Sequence, residues 1–116
     1  MLKNNSDKII AHIEETMESW QEMGISLTEP ASILFQFYCV NKEASEAFIL
    51  FLKDRGYTVY NEQRRFLLLL KEYVIMVEMT QIWTREYVLE TALHLADLAD
   101  NYRTTYEGIF IGMGEE

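Results

Sequence analysis

The apolar residues of this chain repeat with two different periods, and the order in which these periods alternate most constrains the fold. Residues 6–23 have the period of a helix, because their apolar side chains fall on one stripe: Ile10, Ile13, Met17 and Trp20. Gly24 is expected to end this helix. Residues 32–40 have the period of a strand, and both of its faces are apolar, which is typical of a strand inside a sheet.

Two further helices have start and stop signals. Asn41 is expected to cap a helix of residues 42–55 that ends at Gly56, with apolar positions at Ala44, Ala47, Phe48, Phe51 and Leu52. Thr84 is expected to cap a last helix that runs to about residue 102, with an apolar stripe of Val88, Ala92, Leu95, Ala99 and Tyr102. Residues 106–113 then close the chain as a strand.

The apolar segment between these two helices is ambiguous. Residues 57–60 resume as a strand, and the polar residues 61–65 interrupt it. Residues 66–70 and 73–82 form a long apolar run, which fits either a buried helix or two strands. Because Val74, Ile75 and Val77 favour strands, we predict a hairpin that reverses at Lys71 and Glu72.

The predicted order is one helix followed by β-α-β-β-α-β, without internal repeats. This is the split βαβ order of a ferredoxin-like α+β fold, with a four-stranded antiparallel sheet and an extra N-terminal helix. We expect a single domain over residues 1–116, with the N-terminal helix at about 6–23 and the core at about 31–113. Two helices would cover one sheet face and leave the other for a partner, a second copy of the chain or the extra helix.

The charge balance limits the classes of partner. The chain has a net charge of −9, which repels the phosphate backbone of DNA or RNA, and Arg64 and Arg65 form its only adjacent basic pair. A basic protein surface is a better match, although excess acid also serves solubility alone. Cys39 is the only cysteine, so no intrachain disulfide can form. With no signal-peptide pattern and no apolar run of membrane-spanning length, we expect a cytoplasmic protein.

No pattern in the sequence indicates catalysis, a cofactor or a metal. Phosphate-binding glycine loops, a nucleophile elbow and paired cysteines are absent from the sequence. Helical spacing places four possible metal ligands along one side of the last helix, but the same spacing describes a solvated face, which we favour: Glu86, Glu90, His94 and Asp97. His12 stands alone among polar neighbours. We therefore expect a protein that is not an enzyme.

The candidate binding surface lies on the N-terminal helix. Glu15, Glu18 and Glu22 form an acidic stripe that needs water or a cationic partner, and water is the simpler interpretation. Near the end of this helix, Trp20 and Met23 are candidate apolar anchors for a partner, as is Trp83 before the last helix. Large apolar side chains on an apolar stripe more often pack in the core. As site residues we retain Glu15, Glu18, Glu22 and Trp20.

Four segments together resemble the regulator of ribonuclease activity B family. They are the acidic helix ending at Gly24, the strand of residues 33–37, the helix that runs into residues 56–59, and the last helix leading to residues 106–108. The resemblance implies a ferredoxin-like fold and a bacterial cytoplasmic protein that inhibits ribonuclease E by binding it. The chain departs from the family pattern at Ile109, where an aromatic residue is usual, and in the absence of a long acidic tail after Gly114.

Two other functions compete with this leading hypothesis. The first is a small-molecule-binding or enzymatic dimer that uses the open sheet face; a closed, charged pocket with His12 or His94 converging on a tyrosine would favour it. The second is an RNA-binding module with bases stacked on sheet aromatics, although we expect these aromatics to lie in the core: Phe35, Phe37, Tyr38 and Tyr73.

Overall fold

A computed structural model describes residues 4–66 and 70–112, which form three helices and four strands. In chain order these are α1 (Ser6–Glu22), β1 (Ala31–Cys39), α2 (Lys42–Asp54), β2 (Thr58–Phe66), β3 (Leu70–Gln81), α3 (Arg85–Asp100) and β4 (Thr105–Gly112). The strands form one antiparallel sheet in the order β2-β3-β1-β4. The α+β fold with an extra N-terminal helix is thus confirmed.

The helix boundaries follow the signals in the sequence. The side chain of Asn41 accepts a hydrogen bond from the backbone N–H of Ala44 at 2.8 Å, and Thr84 accepts one from Tyr87 at 3.1 Å. Gly24 and Gly56 have φ angles of +82° and +92°, a conformation that favours glycine and that ends α1 and α2. The predicted starts and stops of these helices are correct to within a residue or two.

The predicted hairpin is right in type and wrong in detail. The polar residues 61–65 do not interrupt a strand, because β2 continues to Phe66. Lys71 and Glu72 do not form the reversal either, since both lie within β3 and pair with Arg65 and Arg64. Residues 67–69, between the two strands, lie outside the described residues, as does residue 113 at the predicted end of β4. Polar residues persist in both strands because one sheet face carries no helix.

The core lies between the helices and the inner face of the sheet. Phe37 of β1 meets the ring of Phe48 of α2 edge-on at 6.1 Å, and Phe35 meets Trp83 at 5.8 Å. Most predicted core positions are buried, with small shifts along the helices. In α2, Ala47 is exposed and Ser45 is buried, and in α1 Ile9 is buried more deeply than Ile10. The apolar stripes therefore face the core as predicted, with differences only at single positions.

The extra helix α1 packs against α3 and β4. Asn4 fixes its beginning, because its side chain donates to Asp100 Oδ1 at 2.7 Å and to the Thr104 carbonyl at 3.0 Å. The Asn4 side chain also accepts the backbone N–H of Tyr106 at 2.7 Å. Because β4 is an edge strand, this last bond occupies a backbone donor that would otherwise be free to pair with another chain.

Candidate functional site

The acidic stripe of α1 faces solvent. Glu15, Glu18 and Glu22 are all exposed, while Ile9, Ile13 and Trp20 hold the opposite side of the helix in the core. At a rise of about 1.5 Å per residue, the three carboxylates extend over roughly 10 Å of the helix. The structure therefore brings the three predicted glutamates together as one linear charged surface.

These three glutamates have no internal counterion in the part of the chain that the structure describes. The nearest ion pair on this helix is that of Glu14 with Arg85, which also approaches Glu86 at 3.8 Å. That ion pair connects α1 to the start of α3, and it engages Arg85. The negative charge of the stripe is consequently left for solvent or for a partner.

The two tryptophans are core residues rather than exposed anchors. Trp20 is 8% exposed, and Trp83 is buried with its indole N–H donating to the Ala31 carbonyl at 3.0 Å. Trp20 nevertheless lines a depression of about 540 Å³ together with Glu18, Met17 and Ile25. Among the apolar side chains at the end of α1, Met23 is the exposed one. An apolar contact beside the stripe would thus use Met23 and the rim of this depression.

The row of possible metal ligands on α3 is a solvated face. Its four members, Glu86, Glu90, His94 and Asp97, are all exposed. Within residues 4–66 and 70–112, no group of three or more histidine, cysteine, aspartate or glutamate side chains is arranged to hold a metal ion. His94 lines a separate depression of about 390 Å³ with Tyr57, Tyr87 and Glu90.

His12 does converge on a tyrosine, as the competing small-molecule hypothesis requires. Its Nδ1 lies 3.3 Å from the Tyr106 hydroxyl, and the rings meet edge-on at 5.9 Å. Burial raises the pKa of Tyr106 well above its usual value. The pair lines a depression of about 400 Å³ with Lys8, Tyr38 and Glu107. Because His12 is exposed, this depression is an open groove and not a closed pocket.

An ionic network that the sequence analysis missed crosses the outer face of the sheet. Arg64 of β2 donates from Nε to Glu72 of β3 at 2.7 Å and from Nη2 to Glu107 of β4 at 2.6 Å. Its guanidinium lies 6.0 Å from the ring of Tyr38, and Gln36 donates to Glu107 at 2.9 Å. One arginine therefore links side chains of all four strands. The sequence analysis ended the strand before residues 61–65. A strand continued through these residues would have placed Arg64 opposite Glu72.

The aromatics proposed to stack on RNA bases do not share an open surface. Phe35 and Phe37 are fully buried on the inner face, beneath the helices. Tyr73 lies on that same face, opposite Cys39, and Tyr38 lies on the outer face beside Arg64. The core interpretation of Phe35 and Phe37 is confirmed, and these two rings cannot receive bases.

Across residues 4–66 and 70–112, none of the three helices is long and apolar enough to cross a membrane.

Comparison with known proteins places the chain in a family. A comparison with curated proteins gives no match. The family model for the regulator of ribonuclease activity B matches residues 10–109, which include every helix and strand at least in part. The chain belongs to the regulator of ribonuclease activity B family, a regulatory family.

Proposed function

We propose that this protein is not an enzyme and that it binds a ribonuclease of the E type in the cytoplasm and inhibits it through protein contacts. Family membership supports a ribonuclease as the partner. The observation that carries the proposed mode of binding is the exposed stripe of Glu15, Glu18 and Glu22, which has no counterion within the described residues. A basic segment of the ribonuclease would match this stripe in charge.

The stripe would act mainly on the rate and orientation of association. Complementary charges accelerate encounter and align the partners, whereas buried apolar contacts supply most of the affinity. Met23 and the depression beside Trp20 provide apolar surface next to the stripe. Since exposed charges are screened over about 8 Å at physiological ionic strength, added salt should slow association more than it speeds dissociation.

The test is a kinetic binding measurement with the purified ribonuclease. The variant replaces Glu15, Glu18 and Glu22 with glutamine and is expected to lower the association rate by about tenfold or more at low salt. A matched control removes three acidic charges from exposed positions on α2, as Glu43→Gln, Glu46→Gln and Asp54→Asn. Equal association rates for the two variants would show that the stripe is not the binding surface.

One observation favours a second candidate function, a ferredoxin-like dimer that binds or converts a small molecule. This is the contact of His12 with Tyr106 in the groove that also reaches Tyr38 on the open sheet face. A thermal-melting screen against metabolites would test it. A ligand that raises the melting temperature of the wild type but not of His12→Ala would support this function, and a screen without any such ligand would count against it.

A further inference from the structure

The outer face of the sheet carries apolar side chains that no helix covers. Leu34 of β1 and Met76 of β3 are half-buried in its centre. Tyr60 of β2 and Phe110 of β4 are each 49% exposed at its two edges. Aromatic residues and methionine are enriched in the centres of protein interfaces. These four side chains give the face an apolar patch of the kind found at binding surfaces.

The strand register makes these four residues neighbours. Tyr60 pairs with Met76 across β2 and β3, and Phe110 pairs with Leu34 across β4 and β1. Met76 pairs with Gln36, which lies two residues from Leu34 on the same face. The apolar residues thus form a band across four strands, which is about 14 Å wide at the usual strand spacing.

Acidic groups lie within and beside this band, because Glu78 pairs with Leu34 and Glu62 is two residues from Tyr60 on β2. The outer face carries four carboxylates, and Arg64 is engaged by two of them, Glu72 and Glu107. Of the other two, Glu78 accepts a hydrogen bond from the Tyr60 hydroxyl at 2.8 Å, and Glu62 is exposed. Neither of these two takes part in an ion pair among the side chains that the structure describes. The face therefore matches a ligand that carries both apolar and cationic side chains.

The register also sets the spacing of the two free carboxylates. Glu62 pairs with Val74, which precedes Glu78 by four residues along β3. At about 3.4 Å per residue, the two carboxylates are roughly 14 Å apart along the strand direction. In an extended peptide, two cationic side chains four residues apart have the same separation.

We propose that the outer sheet face binds a basic segment of the partner protein, with apolar side chains seated on the band and cationic side chains at Glu62 and Glu78. The segment is assigned to the ribonuclease on the strength of the proposed function. The contact itself is separate from the stripe on α1. RNA is a poor occupant because its phosphates would face uncompensated carboxylates.

The experiment titrates the isotope-labelled full chain with a synthetic extended peptide that has leucine and valine between two arginines four residues apart. The expected result is that backbone amide shifts concentrate at Leu34, Tyr60, Met76 and Phe110. A control peptide with glutamate in place of both arginines should leave these amides unshifted. Amide shifts confined to α1, or no shifts, would overturn the proposal.

Two double variants test the apolar band. Tyr60→Ala with Phe110→Ala should weaken peptide binding by about tenfold, because truncated anchor residues typically cost that much affinity. Leu50→Ala with Tyr87→Ala removes side chains that are 70% and 45% exposed on α2 and α3, away from this face, and should leave affinity unchanged. All four positions are exposed, so each variant is expected to keep its circular dichroism spectrum. Equal affinities for the two variants would overturn the proposal.

Other occupants give different outcomes. If the wild type sediments as a dimer that Tyr60→Ala with Phe110→Ala dissociates, a second copy occupies the face and the proposal is wrong. If a single-stranded RNA oligonucleotide shifts the same amides, the proposal is wrong as well. Failure of the proposed function is distinguishable, because the peptide would still bind the sheet face while the ribonuclease would not bind the chain at all.

Discussion

Arg64 is the residue whose single side chain joins most of the sheet. Its guanidinium donates to two carboxylates, those of Glu72 and Glu107, and Glu72 is only 7% exposed. A carboxylate with so little access to water needs its partner, because an unpaired charge at such a site keeps the cost of desolvation. The network therefore allows a charged residue to be buried near one end of an inner strand, on the sheet face that no helix covers.

We predict that Arg64→Ala lowers the free energy of unfolding by about 1–2 kcal/mol. The value is smaller than for a fully buried pair because the Arg64 side chain is 39% exposed and water screens its charge. Urea unfolding provides the measurement. Arg64→Lys is the control and should recover only part of the loss, since lysine cannot replace the planar two-sided guanidinium. An Arg64→Ala variant as stable as the wild type would contradict a stabilising role.

Tyr106 should make the protein less stable in alkali. Burial raises the pKa of its hydroxyl in the folded state, whereas the unfolded chain ionises near pH 10. Above about pH 10 the unfolded state therefore loses a proton that the folded state keeps, so this contribution to stability is complete below that pH and is lost as the pH rises.

Replacement by phenylalanine removes this titration. We predict that the stability of Tyr106→Phe declines less steeply above about pH 10 than that of the wild type. Thermal melts over an alkaline pH series measure the slope. Tyr87→Phe, at an exposed tyrosine, serves as the control and should follow the wild type. Identical slopes for Tyr106→Phe and the wild type would count against the effect of burial.

At the level of elements, α1 is the addition to the ferredoxin-like core, and polar contacts at two points attach it in addition to its buried apolar side. Asn4 fixes the first turn to the end of α3 and to β4, and Arg85 pairs with Glu14 further along the helix. Since α1 packs on the edge strand β4, this attachment also shields the edge from pairing with other chains.

We predict that Asn4→Ala loosens α1 and leaves the sheet intact. The variant loses four side-chain hydrogen bonds, to Ala96, Asp100, Thr104 and Tyr106, each contributing about 1 kcal/mol or less. Amide exchange should accelerate in the first turns of α1, while the central strands β1 and β3 keep their protection. Asn101→Ala, at an exposed asparagine, is the control. Uniform acceleration across the chain would show that α1 is not a separate unit of stability.

The elements differ in how well sequence alone predicts them, and the reason is physical. Helices α2 and α3 are set by local signals, such as the Asn41 and Thr84 caps, which act within a few residues. The strands β2 and β3 depend on partners distant in sequence. Glu72 looks like a turn residue until Arg64 is placed opposite it, and that pairing exists only in the folded sheet.

The candidate site shows the same division. The exposure of Glu15, Glu18 and Glu22 follows from the helical period and was predictable. The burial of Trp20 follows from the same period, which favoured packing over an exposed anchor. The band formed by Leu34, Tyr60, Met76 and Phe110 was not predictable, because its members come from four strands whose register is set by the whole sheet.

For the molecule as a whole, two exposed surfaces carry a share of the net charge of −9. The stripe on α1 is a line of unpaired carboxylates suited to fast encounter, and the outer sheet face combines apolar side chains with carboxylates. Under the proposed function, the stripe on α1 would speed the encounter with the partner, and the outer sheet face would hold a segment of it. Both surfaces call for a basic partner.

The most direct measurement of the central claim is the rate at which the purified ribonuclease cleaves a single-stranded RNA while this protein is titrated into the reaction. We predict that the cleavage rate falls with increasing protein and levels off once the ribonuclease is saturated, and that the protein alone leaves the RNA uncut. A cleavage rate that stays constant although the two proteins demonstrably bind, or cleavage of the RNA by this protein alone, would contradict this claim.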